Sequence, residues 1–252
     1  MKEKIEFIIS QFNAVVGDID GNREKIINII VNNRELNVTK VFIFPELALC
    51  GYSPEDLLFR EDFANKINDS ILEIKENIKS NEYLIFGAPR YSVDSSEVWN
   101  SAFVINNKKI LEIYDKQFLP NYGVFDEKRY FNKGNKNKVI DIEGNKICIL
   151  ICEDAWNLSS MHNKELENID FLISINASPF EKGKNEKRRE FFSKVSSKYK
   201  LNLIYLNTVG GQDEIVFDGS SFIANRDGLL MHSCKSFSED EYKIISDDGN
   251  FS

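Results

Sequence analysis

The sequence predicts an α/β fold on mixed sheets, and three observations carry that prediction. Short apolar, β-prone runs alternate with amphipathic helical segments along nearly all of the 252 residues. Turn-type residues interrupt the alternation at Asn106-Asn107 and at Glu143-Gly144-Asn145, each between two apolar runs, so hairpins must sit beside strand–helix units. No internal repeat, low-complexity tract or Pro/Ser-rich linker divides the chain, and one domain over residues 1–252 is the economical reading.

Taken in order, Ile5–Phe12 reads as a strand and Val15–Asn22 as a turn. Asn22 is a candidate N-cap for a helix running to about Leu36, with Ile26, Ile27, Ile30 and Val31 on its inner face. Val41–Phe44 is a buried strand ended by Pro45 and Glu46, Phe63–Lys79 a helix and Tyr83–Gly87 a strand. Val98–Ile105 with Lys109–Tyr114 makes the first hairpin, and Val139–Ile142 with Lys146–Ile151 the second. Phe171–Asn176 is a strand and Glu186–Tyr199 a helix; Leu203–Asn207, Gly219–Ala224 and Leu229–His232 complete the strands. Ser236–Ser252, acidic and punctuated by glycine, reads as a frayed tail or as a linker to something further on.

Composition excludes several classes. A hydrophobic content of 42% with 19 Phe is ample for a core and far from disorder. The net charge of −8 argues against a nucleic-acid partner, which calls for a basic surface; the short basic stretch Lys182–Arg189 reads as a solvated loop-and-helix face. No run approaches the 18 apolar residues of a membrane helix, and the N-terminus enters a strand pattern without a signal-peptide core, so a cytoplasmic protein with no membrane partner is expected. Cys50, Cys148, Cys152 and Cys234 contain no C-x-x-C pair and no zinc spacing, which fits free thiols in a reducing compartment. His162 and His232 stand apart from other ligand-type residues, so neither a metal site nor a Cys–His pair is expected, and a cysteine nucleophile would need another base.

The chemistry-bearing residues stand at strand ends. The run Lys146–Cys152 breaks at once into Glu153-Asp154-Ala155-Trp156, a strand turning into a helix with Cys152 at the corner. There a thiolate is stabilised and an oxyanion received by the first free amides of the helix. Cysteine at a strand end is also an ordinary packing residue, and the run alone does not decide. Glu46 follows the strand Val41–Phe44, and open α/β sheets hold their chemistry at carboxyl strand ends, although an acid after Pro also suits a helix start. Lys116 follows the strand ending at Tyr114. Three strand ends delivering Glu46, Lys116 and Cys152 say more than any one of them.

Those segments resemble the nitrilase (carbon–nitrogen hydrolase) superfamily, whose Glu–Lys–Cys triad maps onto Glu46, Lys116 and Cys152. Within it, the chain is most similar to the glutaminase domains of glutamine-dependent NAD synthetases. The resemblance rests on Phe44–Leu58, Lys116–Phe131, Ile151-Cys-Glu-Asp-Ala-Trp, Asn176-Ala-Ser-Pro-Phe and Asn207–Ser221, and runs from about residue 8 to about residue 235. It implies a four-layer α-β-β-α sandwich, two mixed sheets face to face with helices outside, and a homo-oligomer. It also implies that Glu46 is the base, with a pKa raised by burial, and that Lys116 with the Glu153 backbone amide receives the oxyanion. Glu127 would be a second carboxylate orienting Lys116 and the substrate. Tyr122, Glu153, Ser178 and Lys184 would hold the glutamine backbone groups, with Tyr52 walling the pocket. Gly210-Gly211 lacks the surroundings of a phosphate loop.

By this resemblance glutamine is the substrate and a synthetase domain or subunit the partner that takes the ammonia. No pyrophosphate loop of Ser-Gly-Gly-x-Asp-Ser character occurs in the sequence, so the synthetase domain is absent from this chain; ATP and Mg would belong there, and no cofactor is expected here. Two other readings stand beside this one: a stand-alone amidase acting on another small amide, and a non-catalytic regulatory domain on the same fold.

Overall fold

The computed structural model describes residues 2–34, 38–93, 95–158 and 168–251. Two sheets form its centre. The first contains β1 (Ile5–Gln11), β2 (Thr39–Ile43), β3 (Glu82–Tyr91), β4 (Val98–Asn106), β5 (Lys109–Asp115), β14 (Asp240–Asp247) and β15 (Asn250–Phe251), in the order β15-β14-β1-β2-β3-β4-β5. The second contains β6 (Val139–Ile142), β7 (Asn145–Ile151), β8 (Phe171–Asn176), β9 (Asn202–Asn207), β12 (Phe222–Ala224) and β13 (Leu230–Ser233), in the order β13-β12-β9-β8-β7-β6. A separate hairpin joins β10 (Val209–Gln212) to β11 (Ile215–Asp218).

Both sheets share one plan. Three parallel strands, β1-β2-β3 or β7-β8-β9, are extended on each side by antiparallel pairs. Parallel neighbours need crossovers, which α1 (Ile19–Asn32) and α2 (Glu61–Glu76) supply in the first sheet and α5 (Lys184–Tyr199) between β8 and β9. The antiparallel partners come from hairpins: Asn107 and Lys108, both at positive φ, turn β4 into β5, and Glu143-Gly144 does the same for β6 and β7. Short helices α3 (Glu127–Tyr130) and α4 (Glu153–Trp156) sit at the carboxyl ends of strands.

Alternation along the strands makes the four layers. On β1, Phe7 and Ile9 point inward with Val41, Ile43 and Ile85, and meet Ile147, Ile149, Phe171 and Ile173 of the second sheet; the Phe7 and Phe171 rings lie 5.0 Å apart. Ile8, between Phe7 and Ile9, points the other way, into Ile26 and Ile30 of α1 and Ile67, Ile71 and Ile74 of α2. The outer face of the second sheet is covered by α5, whose Phe192 ring lies 5.0 Å from Tyr205. The four-layer sandwich is therefore present.

Several local expectations change. Asp18, not Asn22, caps α1, accepting from the Gly21 amide. Asn22 is instead buried, bonding the Val15 backbone and the Leu49 carbonyl. Val31 is exposed, and the predicted helix end at Leu36 lies outside the described residues, as does His162. The segment read as a tail or linker supplies β14, which pairs with the whole length of β1. Its alternation of charged and apolar residues was masked by acidity, because only one face of β14 is buried. Among the described residues, no helix is long and apolar enough to cross a membrane.

The inter-sheet contact sets the stability of the sandwich. Replacing Phe171 by Ala should reduce the unfolding free energy by about 3–5 kcal/mol, and replacing the half-exposed Leu72 of α2 by about 0.5 kcal/mol or less. Urea denaturation with an unchanged slope checks both; a Phe171 effect below about 1 kcal/mol would contradict the packing described.

Candidate active site

Glu46, Lys116, Glu127, Tyr52 and Cys152, predicted from distant parts of the sequence, converge at the carboxyl ends of β2, β5 and β7. Glu46 lies in the turn after β2, which runs tightly against β3. A side chain at Gly87 of β3 would meet the Leu47 nitrogen at 2.2 Å and the Glu46 Cα at 2.7 Å, so only glycine allows this approach. Backbone bonds from Gly87 to Pro45 and from Leu49 to Gly87 hold the turn.

Both Glu46 oxygens are engaged. Oε1 accepts from Lys116 Nζ at 2.6 Å and from Asn100 Nδ2 at 2.7 Å, and Oε2 accepts from the Ala177 amide at 2.7 Å. Lys116 Nζ also donates to Glu127 Oε1 at 2.7 Å, which accepts from Tyr52 OH at 2.8 Å. Glu127 Oε2 is buried and has no partner among the described residues. Glu127 opens the four-residue helix α3 and is 3% exposed, so it is a buried member of the site rather than a solvated acid.

Electrostatics follow from one ammonium between two carboxylates. Burial pulls Lys116 down, but Glu127 and Glu46 more than offset it and hold the ammonium well above the usual lysine range. Burial, against the opposing charge of Lys116, pushes Glu127 up to about 7. Burial and the Glu127 and Glu46 charges keep the Tyr52 phenol protonated.

Cys152 occupies the corner between β7 and α4 at φ 48°, ψ −102°, a conformation that non-glycine residues adopt only when their surroundings enforce it. Its amide donates to Ile175 of the neighbouring strand, and its carbonyl accepts from Ala155. The thiol is nearly buried. Burial first, and the Glu46 charge second, push it up rather than down. The helix after Cys152 has only four residues, so the expected stabilisation of a resting thiolate by helix amides does not occur, and the thiol needs a base.

The remaining expected residues surround this centre at different depths. Tyr122 OH donates to Glu153 Oε2 at 2.9 Å, and both line a cavity of about 620 Å³ with Phe118, Phe131 and Asn157. Ser178 is buried, its hydroxyl accepting from Arg188 Nη2. Lys184, the first residue of α5, is half-buried, and burial and Arg188 pull it below the usual lysine range. The basic stretch around it is not simply a solvated face: Arg188 is fully buried, forks onto Asp218 and holds the carbonyls of Ser178 and Pro179. Asn100, Gly87, Arg188 and the Ala177 amide were missed in the sequence. Only Asn100, a polar residue in the strand core Val98–Ala102, carried a usable signal. His232 stacks on Tyr242, and among the described residues no three His, Cys, Asp or Glu could hold a metal.

The carbon–nitrogen hydrolase pattern matches residues 9–246. The chain belongs to the carbon–nitrogen hydrolase family. The glutamine-dependent NAD(+) synthetase of Acinetobacter baylyi is 35% identical over 240 residues, 95% of this chain and 44% of the relative. That of Aquifex aeolicus is 35% identical over 247 residues, 97% of this chain and 43% of the relative. The chain thus spans less than half the length of these relatives. The glutamine-dependent NAD+ synthetase structure from Acinetobacter baumannii superposes with a TM-score of 0.90 at 34% identity, covering 99% of this chain and 47% of that one. An amidase of the nitrilase superfamily from Nesterenkonia shares the fold, with a TM-score of 0.82 at 17% identity, over 98% of this chain and 91% of that one.

Glu127 makes stability depend on pH. With its carboxyl near 7 when folded and near 4.5 when unfolded, the folded state holds a proton that the unfolded state has lost, so stability falls as pH rises between those values. Wild-type protein should lose up to about 1.4 kcal/mol per pH unit across that window relative to Glu127→Gln. Denaturation series from pH 4.5 to 7.5 check this; parallel curves for the two proteins would contradict it.

Proposed function

We propose that this chain hydrolyses the side-chain amide of glutamine to glutamate and ammonia through a Cys152 thioester. The ammonia then serves a synthetase domain or subunit that amidates nicotinic acid adenine dinucleotide to NAD, in the cytoplasm. The observation that carries the reading is the buried Glu46–Lys116–Glu127 cluster beside Cys152, in a chain whose relatives bear the name glutamine-dependent NAD(+) synthetase along its whole length.

In this reaction Glu46 takes the thiol proton as sulfur attacks the amide carbon. The carbonyl oxygen becomes an oxyanion that Lys116, charged throughout, and the Glu153 amide neutralise. The intermediate then collapses: the C–N bond breaks, Glu46 returns the proton to the departing nitrogen, and the thioester remains. Water attacks the thioester with Glu46 again as base, releasing glutamate and restoring the thiol. The unpartnered Glu127 Oε2 supports a role for that carboxylate in accepting from the substrate amide N–H. Tyr122, Glu153, Ser178 and Lys184 are proposed for the amino and carboxylate groups of the amino acid, and Tyr52 for the wall and for Glu127.

A second reading, a free-standing amidase for another small amide, draws on the carbon–nitrogen hydrolase match, which names no particular amide. Turnover of glutamine against other ω-amides separates the two, and indifference to glutamine would overturn the first. Glu46→Gln, Lys116→Met and Cys152→Ala should each lower kcat/KM by about a thousandfold or more, because the three act as a unit. Ammonia release by folded Cys152→Ala at the wild-type rate would exclude any thioester.

A further inference from the structure

Cys152 and Lys116 stand on different sheets, one after β7 and the other after β5. The facing layers between them are apolar, and such contacts are non-directional, so they fix the distance between two strand ends poorly. A directional link is needed, and a buried carboxylate the mechanism does not use supplies one. Asp154, two residues after Cys152, is 0% exposed. Its Oδ1 accepts from the Phe118 amide at 2.7 Å and the Gln117 amide at 3.1 Å; its Oδ2 accepts from Tyr114 OH at 2.8 Å and, at 3.4 Å, from the Ile151 amide. Tyr114, Gln117 and Phe118 bracket Lys116.

We propose that Asp154 is a positioning residue: its carboxylate, anchored in the Cys152 turn and bonded on both sides of Lys116, sets the Lys116 ammonium against the Cys152 thiol. The inference rests on the reaction proposed above. An acid in a first helical turn ordinarily serves its own helix. Here α4 has four residues, and three of the four donors come from 36 to 40 positions away. Four donors fill the four lone-pair positions of the carboxylate, so Asp154 has no capacity left to bind substrate. Lys116 itself is tied by its own amide to Asn100 and by its carbonyl to Gly134, both on the side of the first sheet, while the Asp154 bonds tie the same segment to the nucleophile's turn. Burial pushes Asp154 up to about 6, still ionised at neutral pH and able to accept from all four donors.

Asp154→Asn keeps the size of the side chain, but whichever way the amide turns its NH2 meets groups already donating. Steady-state kinetics on glutamine, normalised to folded protein by circular dichroism, should show kcat lowered about tenfold to hundredfold with KM within about threefold. Tyr114→Phe, which removes one donor, should lower kcat at least about threefold with KM likewise unchanged. A kcat less than threefold below wild type in folded Asp154→Asn, or a loss confined to KM, overturns the inference. Should Asp154→Asn fail to fold, Tyr114→Phe decides by the same threshold. Cys152→Ala is the separate control. If it still releases ammonia, the proposed reaction falls; if it is inert while Asp154→Asn keeps wild-type kcat, the positioning role alone falls.

Discussion

The structure at the carboxyl strand ends depends on one buried ammonium shared by two carboxylates. Lys116 and its partners Glu46 and Glu127 are each at most 3% exposed, so each has lost nearly all its hydration. No one of them is tolerable alone there. Taking away the lysine leaves two carboxylates against each other; taking away one carboxylate leaves the other as the lysine's single counter-charge. The three elements that carry them, the turn after β2, the segment after β5 and the start of α3, are therefore held by electrostatics as much as by backbone bonding.

That constraint works only because the two sheets are pinned in register. At the amino ends of the strands, Glu3 donates to Glu143, Asn145 to Glu3 and Asn202 to Gly249, all between sheets. At the carboxyl ends, the Ala177 amide reaches Glu46 and the Asp154 carboxylate reaches the segment after β5. The apolar layer between supplies most of the cohesion, and these few polar bonds at its rims supply the geometry. β14, contributed by the last part of the chain, closes the first sheet beside β1 and so stiffens the edge nearest the amino-end ties.

Much of this was legible in the sequence because the determinants were local. The hairpins were expected at Asn106-Asn107 and Glu143-Gly144-Asn145; the first turn falls one residue later, at Asn107-Lys108, where both residues take positive φ. β8 matched its predicted bounds because it is buried on both faces and ends at a loop. Glu46 and Cys152 were visible because Pro45 and the Glu153-Asp154 pair terminate their strands conspicuously, and Lys116 because it follows the strand read to end at Tyr114. What was not legible was long-range. β14 looked like an acidic tail because one of its faces is solvated, and the cap of α1 shifted because Asn22 was recruited to a loop 27 residues away. Arg188 looked like a surface charge because its partner, Asp218, lies 30 residues on. Burial of a charge is decided by its partner, and nothing near it in sequence names that partner.

In the proposed reaction the protonation states of the cluster favour a base that belongs to it. The Cys152 thiol is disfavoured as a thiolate by burial and by the Glu46 charge, so simple loss of its proton to solvent would add a second uncompensated negative charge to a closed site. Transfer of the same proton to Glu46 leaves the net charge of the cluster unchanged, because one carboxylate is neutralised as one thiolate forms. Lys116 then turns from two carboxylates to one carboxylate and the growing charge on sulfur and, after attack, on the substrate oxygen. In the proposed reaction the ammonium never has to enter or leave: negative charge moves around it. For that proposed transfer Glu46, Lys116 and the thiol have to meet within hydrogen-bonding reach, so ties between the sheets would serve the chemistry as well as the fold.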